Sequence, residues 1–261
     1  MYIPESVIYV YAPQNAGVKF IANCIGLSDK SMLQRLDLIN LSYTEKVNFL
    51  KSAYINEKQR YKWLDLDLGD WELFDQPDSE RILSTTDRIA VQTLHTIDDV
   101  PDLNQHKIIS MLNTDAFSKL HRPNRIAAIY EEHYQTFRNF DPAETDKLPK
   151  TFADLIREQP PSVIRNIDEH FEYLNEFVTE VLGTRNEKVK SKMLARNCDV
   201  FYTDTNAFNF PDTAADEIEK IYSFLGFDDF KRDVIMELQQ LWVDAVETVD
   251  KREGIINNGN S

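Results

Sequence analysis

The chain has 261 residues, 42% hydrophobic and 11% aromatic, which suits one large α/β domain with a full core and excludes a disordered polymer. Its formal net charge of −15 opposes non-specific binding to nucleic acid or an anionic membrane, so an anionic ligand needs a locally positive pocket. Two cysteines, Cys24 and Cys198, make no disulfide framework, and no leader or bilayer-length apolar run is present; the expectation is a soluble protein of the reducing cytoplasm.

Val7, Ile8, Tyr9, Val10 and Tyr11 form a β-branched and aromatic run that predicts a buried strand. The loop Pro13-Gln14-Asn15-Ala16-Gly17-Val18-Lys19 follows, and then Phe20, Ile21, Ala22, Cys24, Ile25 and Leu27 recur at helical spacing. A strand, a loop with one glycine and one lysine, and a helix together make a phosphate or sulfate cradle: loop amides and the helix N-terminus face the anion, and the lysine adds a charge. Set against G-x-x-x-x-G-K-[ST], Lys19 keeps its spacing, but Phe20 stands where the magnesium-binding hydroxyl belongs. That opposes an ordinary ATPase, GTPase or kinase. The competing reading is the first strand-turn-helix of any α/β domain, with Lys19 solvated on the first turn.

Further along, Thr44 is expected to cap a helix through Ile55. Residues 63–74, rich in alternating Asp and Leu, read as a half-exposed acidic strand. Residues 88–95 read as a second buried strand with His95 at its carboxyl end, where open α/β sheets bind ligands. A third strand spans 107–112 and leads into Asn113. Beyond it His121, Arg122, Pro123 and Arg125 concentrate positive or titratable groups, the arginines offering paired donors that suit phosphate oxygens. Helical patterns follow at 124–140 and 163–182. A late strand covers 198–203, a helix capped by Asp212 or Thr213 ends at Gly226, and a last helix runs over about 229–249. The expectation is one domain over 1–252, with a helical insertion over about 124–195 and a disordered tail at 253–261.

Taken together, these stretches resemble the sulfotransferase branch of the P-loop fold. In its donor loop, P-K-S-G-T-T-W, the proline, glycine and tryptophan are comparable to Pro13, Gly17 and Phe20. Thr93-Leu94-His95 looks like a stretched form of the family's Thr-His pair, 107–115 follows the hydrophobic pattern of K-V-I-Y-x-x-R-N-P-x-D, and Phe224-Leu225-Gly226-Phe227 is similar to its F-L-G-L. The resemblance implies a three-layer α/β fold with a mainly parallel sheet and a helix-rich middle and carboxyl part. It implies sulfuryl transfer from 3′-phosphoadenosine 5′-phosphosulfate to an acceptor hydroxyl of a small molecule or glycan, without a metal. His95 falls at the catalytic base. Residues 13–20, with Lys19, fall at the phosphosulfate, and residues 63–74 are the one stretch offered for acceptor contact. Asn113 falls at the arginine for the 3′-phosphate and His121 near its partner serine; Arg122, Arg125 and Lys19 are the cations available to take over. A domain that binds a nucleotide, glycan or protein without turnover is the alternative.

Overall fold

The computed structural model describes residues 7–12, 17–33, 38–55, 79–94, 102–112 and 186–252. Four parallel strands, β1 (Val7–Tyr11), β2 (Ala90–Leu94), β3 (Lys107–Leu112) and β4 (Asp199–Asp204), form a sheet in the order β2-β1-β3-β4. Val7 aligns with Ala90, Ile8 with Lys107 and Lys107 with Asp199. The α/β class expected from the sequence is therefore the class observed. β1 and β2 are buried along all five of their residues, as continuous apolar runs in a parallel sheet require. The acidic stretch 63–74, the helical stretches 124–140 and 163–182, and the tail 253–261 lie outside the described residues.

Both sheet faces are covered. Ile8, Val10, Val91, Ile109 and Met111 face helices α1 (Val18–Gly26), α2 (Tyr43–Ile55), α4 (Pro211–Leu225) and α5 (Arg232–Arg252). Val7, Tyr9, Ala90, Leu94 and Ile108 face the other way, toward Met32, Ile39, Leu103, Met193 and Leu83 of the short α3 (Ser79–Leu83). Residues 186–195 are helical and bring Met193 to this second layer.

Every residue of α1 is buried, including Asn23 and Lys19. Its polar groups are consequently met from inside. Asn23 Nδ2 donates to the Tyr54 hydroxyl at 2.9 Å, and the Tyr222 hydroxyl donates to the Cys24 carbonyl at 2.8 Å. Just past its carboxyl end, the fully buried Lys46 of α2 donates to the carbonyls of Leu27 at 3.4 Å, Ser28 at 2.5 Å and Ser31 at 2.7 Å. A cation there also meets the negative end of the helix dipole. The Asp229 carboxylate accepts from Ser28 Oγ at 2.9 Å and the Asp29 amide at 2.6 Å, and Asp29 in turn accepts from the Tyr43 amide at 3.1 Å.

Three helix starts differ from the sequence reading, while β2 starts two residues and β4 one residue later than expected. Helix α2 starts at Tyr43, and its cap is Ser42, not Thr44: the Glu45 carboxylate accepts from the Ser42 amide at 2.8 Å, while Ser42 Oγ accepts from the Glu45 amide at 3.5 Å, a reciprocal capping box. Helix α4 starts on Pro211, whose missing N–H costs nothing in the first turn; Phe210 precedes it, and neither Asp212 nor Thr213 caps it. Helix α5 starts at Arg232 because Asp229 is committed to Ser28 and Asp29.

The end of α4 is as expected, with Gly226 left-handed at φ 77°. The Phe227 amide reaches the Tyr222 carbonyl at 2.9 Å and the Gly226 amide reaches Ser223 at 3.2 Å, a Schellman closure, with the Phe227 ring edge-on to Tyr222 at 5.5 Å. Lys107 Nζ donates to the Phe224 carbonyl at 2.6 Å and Lys30 Nζ to that of Gly226 at 3.0 Å, so two lysines cap this end.

Burial, with the nearby Arg88 charge, pushes the Lys46 ammonium down to about 8 against the pull of Asp29 and Asp229. The unfolded chain therefore binds this proton more tightly between pH 8 and 10.5, and folding gains as pH rises through that window. Lys46→Met is expected to lose about 2–4 kcal/mol at pH 7, because it orphans buried carbonyls. Denaturant titrations across pH should show the gap to wild type widening above pH 8, by at most about 1.4 kcal/mol per unit. A flat gap would contradict the assignment.

Candidate anion site at the carboxyl end of β1

β1 leads on to β2 on one side, and its other neighbour, β3, leads on to β4 on the opposite side, so successive connections run in opposite directions from the β1–β3 junction. Such a switch point opens a crevice beyond the strand ends, where α/β sheets hold ligands. Ala12 keeps the strand alignment one step further, its amide donating to the Leu94 carbonyl at 3.0 Å.

Gly17 precedes α1 at φ 76° and ψ 16°. That left-handed conformation costs any residue with a Cβ, and it turns the chain from the loop into the helix. The Phe20 amide reaches back to the Gly17 carbonyl at 3.0 Å, and the remaining first-turn amides lie at the positive end of the helix dipole. No side chain caps this end through a hydrogen bond, and no acidic residue occupies its first turn. Lys19 sits on that turn with 7% of its surface exposed, in contrast to the solvated lysine of the simpler reading.

Gly17, Val18, Lys19 and Phe20 are thus brought together at one helix end. Phe20 is wholly buried and packs against Phe208 at 6.3 Å and Trp242 at 5.8 Å, so its side chain anchors the first turn to the core. Pro13, Gln14, Asn15, Ala16, His95, Asn113, His121, Arg122 and Arg125 lie outside the described residues. His95 is next in sequence after Leu94, the last residue of β2.

One feature escaped the sequence reading. On the sheet face away from α1, Tyr9 Oη, Gln92 Oε1 and Ser110 Oγ are buried without a hydrogen-bond partner among the described residues, as is Nδ1 of the neighbouring His106. Leaving such a group unsatisfied costs about 1–3 kcal/mol. The signal was available: a tyrosine, an amide and a hydroxyl interrupt three strands whose other residues are mainly apolar. Burial pushes the Tyr9 phenol up to about 12 and the His106 imidazole below its ordinary range, so both stay neutral near pH 7.

No family model, curated protein or solved structure matches the chain. Among the described residues, no helix is long and apolar enough to cross a membrane.

The left-handed turn gives a direct test. Gly17→Ala should lose about 1–2 kcal/mol by denaturant titration, and Gly17→Asn less, because asparagine tolerates φ near +60° better than alanine. Equal stability of both variants with wild type would show that Gly17 does not hold this conformation in solution.

Proposed function

We propose that the end of β1 and the start of α1 hold the phosphosulfate of a nucleotide donor, and that the protein is a sulfotransferase-like enzyme. The donor is 3′-phosphoadenosine 5′-phosphosulfate, and the acceptor is the hydroxyl of a small molecule or glycan. The observation that carries this reading is the left-handed Gly17 leading into α1 at the switch point, with Lys19 on the first turn. Helix amides there supply fixed positive dipoles, and Lys19 supplies a full charge in a chain whose net charge otherwise repels anions.

In the proposed reaction, His95 takes the proton of the acceptor hydroxyl. The acceptor oxygen bonds to sulfur as the bond from sulfur to the 5′-phosphate oxygen breaks, and adenosine 3′,5′-bisphosphate leaves. Proton transfer of this kind contributes on the order of 10²- to 10⁴-fold. Amides near Gly17 and the Lys19 ammonium stabilise charge gathering on the bridging and equatorial oxygens, usually the larger effect. Arg122 and Arg125 are the proposed partners of the 3′-phosphate. A second reading, a domain that binds without turnover, is favoured by Gln14 and Asn113, which stand where the family has its loop lysine and an arginine.

Calorimetric titration with adenosine 3′,5′-bisphosphate separates these readings from the absence of a site. Micromolar binding, weakened at least tenfold in Lys19→Ala, is the expected result, together with sulfuryl transfer that His95→Ala abolishes. Binding without transfer leaves the turnover-free domain, and no heat at millimolar ligand removes both.

A further inference from the structure

The two faces of the sheet differ in kind. Toward α1, strands β1 and β3 present Ile8, Val10, Ile109 and Met111, an apolar surface. On the opposite face the register sets Gln92 of β2 directly beside Tyr9 of β1, while Ser110 of β3 lies beside Tyr11, one step along the same row. Tyr9 Oη, Gln92 Oε1 and Ser110 Oγ are all buried and lack a hydrogen-bond partner, although Gln92 Nε2 donates to the Thr93 carbonyl at 3.2 Å. The His106 ring stands edge-on to Tyr9 at 5.3 Å, with Nδ1 equally without a partner.

Polar groups rarely persist in a buried sheet unless something bonds them. Tyr9 and Gln92 lie two positions before the end of the β1–β2 pairing, about 7 Å below the carboxyl edge, and Ser110 is level with Tyr11, the last paired residue of β1. Two of the side chains over this face, Met32 and Met193, are methionines, whose unbranched thioethers re-pack readily around an occupant.

We propose that this row is a seat for a neutral, hydroxyl-bearing small molecule. A hydroxyl both donates and accepts, so an occupant with more than one hydroxyl can meet the neighbouring Gln92 oxygen and Tyr9 hydroxyl and, one step further along the sheet, the Ser110 hydroxyl. The occupant is uncharged because Tyr9, Gln92 and Ser110 carry no charge near neutral pH and burial opposes ionisation of Tyr9 and His106. The seat lies on the opposite side of the sheet from α1 and does not depend on the anion-site reading.

Saturation-transfer NMR on the full chain tests it with xylitol and myo-inositol as probes and 1,2-dimethoxyethane, which has no hydroxyl, as control. Transfer to the polyols but not to the ether is expected, falling at least tenfold in a Gln92→Leu, Ser110→Ala double variant. That variant should melt at or near the wild-type temperature without polyol, since the loss of two partnerless oxygens offsets the loss of the Gln92 Nε2 bond to the Thr93 carbonyl, and it should bind adenosine 3′,5′-bisphosphate as the wild type does. Where the double variant does not fold, Tyr9→Phe, which deletes one oxygen and little volume, must show the same loss of transfer. Silence from both polyols leaves internal water as the occupant and overturns the proposal, as does undiminished transfer in the variants.

Discussion

A helix buried along its whole length cannot leave its terminal groups to water, and α1 is such a helix. The carbonyls around its carboxyl end are taken by Lys46, which must give up water to reach them. Burying that ammonium is costly, and the cost is tolerable only because three carbonyls surround it and Asp29 and Asp229 stand near. The same few residues then organise their neighbourhood. Ser28 and Asp29 hold Asp229 ahead of α5, Asp29 meets the first amide of α2, and the Met32 amide bonds the Ile89 carbonyl at the start of β2. One end of α1 is thereby tied to α2, α5 and the sheet. Its other end is left at the carboxyl edge of β1, where Phe20 locks it to Phe208 and Trp242.

What could be read from the chain follows from the range of the forces involved. β1 and β3 match their expected bounds because each is a run of apolar side chains bracketed by polar or turn-forming residues. The Schellman end of α4 was legible because Gly226 and Phe227 carry it locally. By contrast, the true start of α5 depends on Asp229 bonding Ser28 and Asp29, about two hundred positions away in the chain, and no periodicity records that. The cap of α2 lies closer to what local pattern records: Ser42 and Glu45 have capping-box spacing, and Thr44, two residues later, competes with Ser42 as a cap candidate. The strand order, which makes the end of β1 a switch point, is equally invisible to local pattern.

The candidate anion site divides along the same line. Gly17 and Lys19 were legible because a glycine, a lysine and the onset of helical spacing are local facts. The burial of Lys19 was not, since it depends on what packs around the first turn of α1. The row on the far face needed the register as well: a tyrosine, a glutamine and a serine each interrupt a mainly apolar strand, and they become a group only when β2, β1 and β3 align.

Net charge is a poor guide to such a site, and α1 shows why. The aspartates that engage its surroundings, Asp29, Asp228 and Asp229, gather beyond its carboxyl end, where Lys30 pairs with Asp228 at 2.9 Å. A nine-residue helix is about 13 Å long, so these charges stand a whole helix length from its first turn, where the adjacent amides act at a fraction of that distance. At the start of α4, Asp216 and Asp212 are bonded by Arg232 of α5 at 2.5 Å and 3.4 Å, which answers their charge. Among the described residues, the groups nearest Gly17 that would act on the proposed anion are the helix amides and Lys19. The formal charge of −15 acts at longer range, discouraging polyanions that must cover much of the surface while leaving a small anion free to enter.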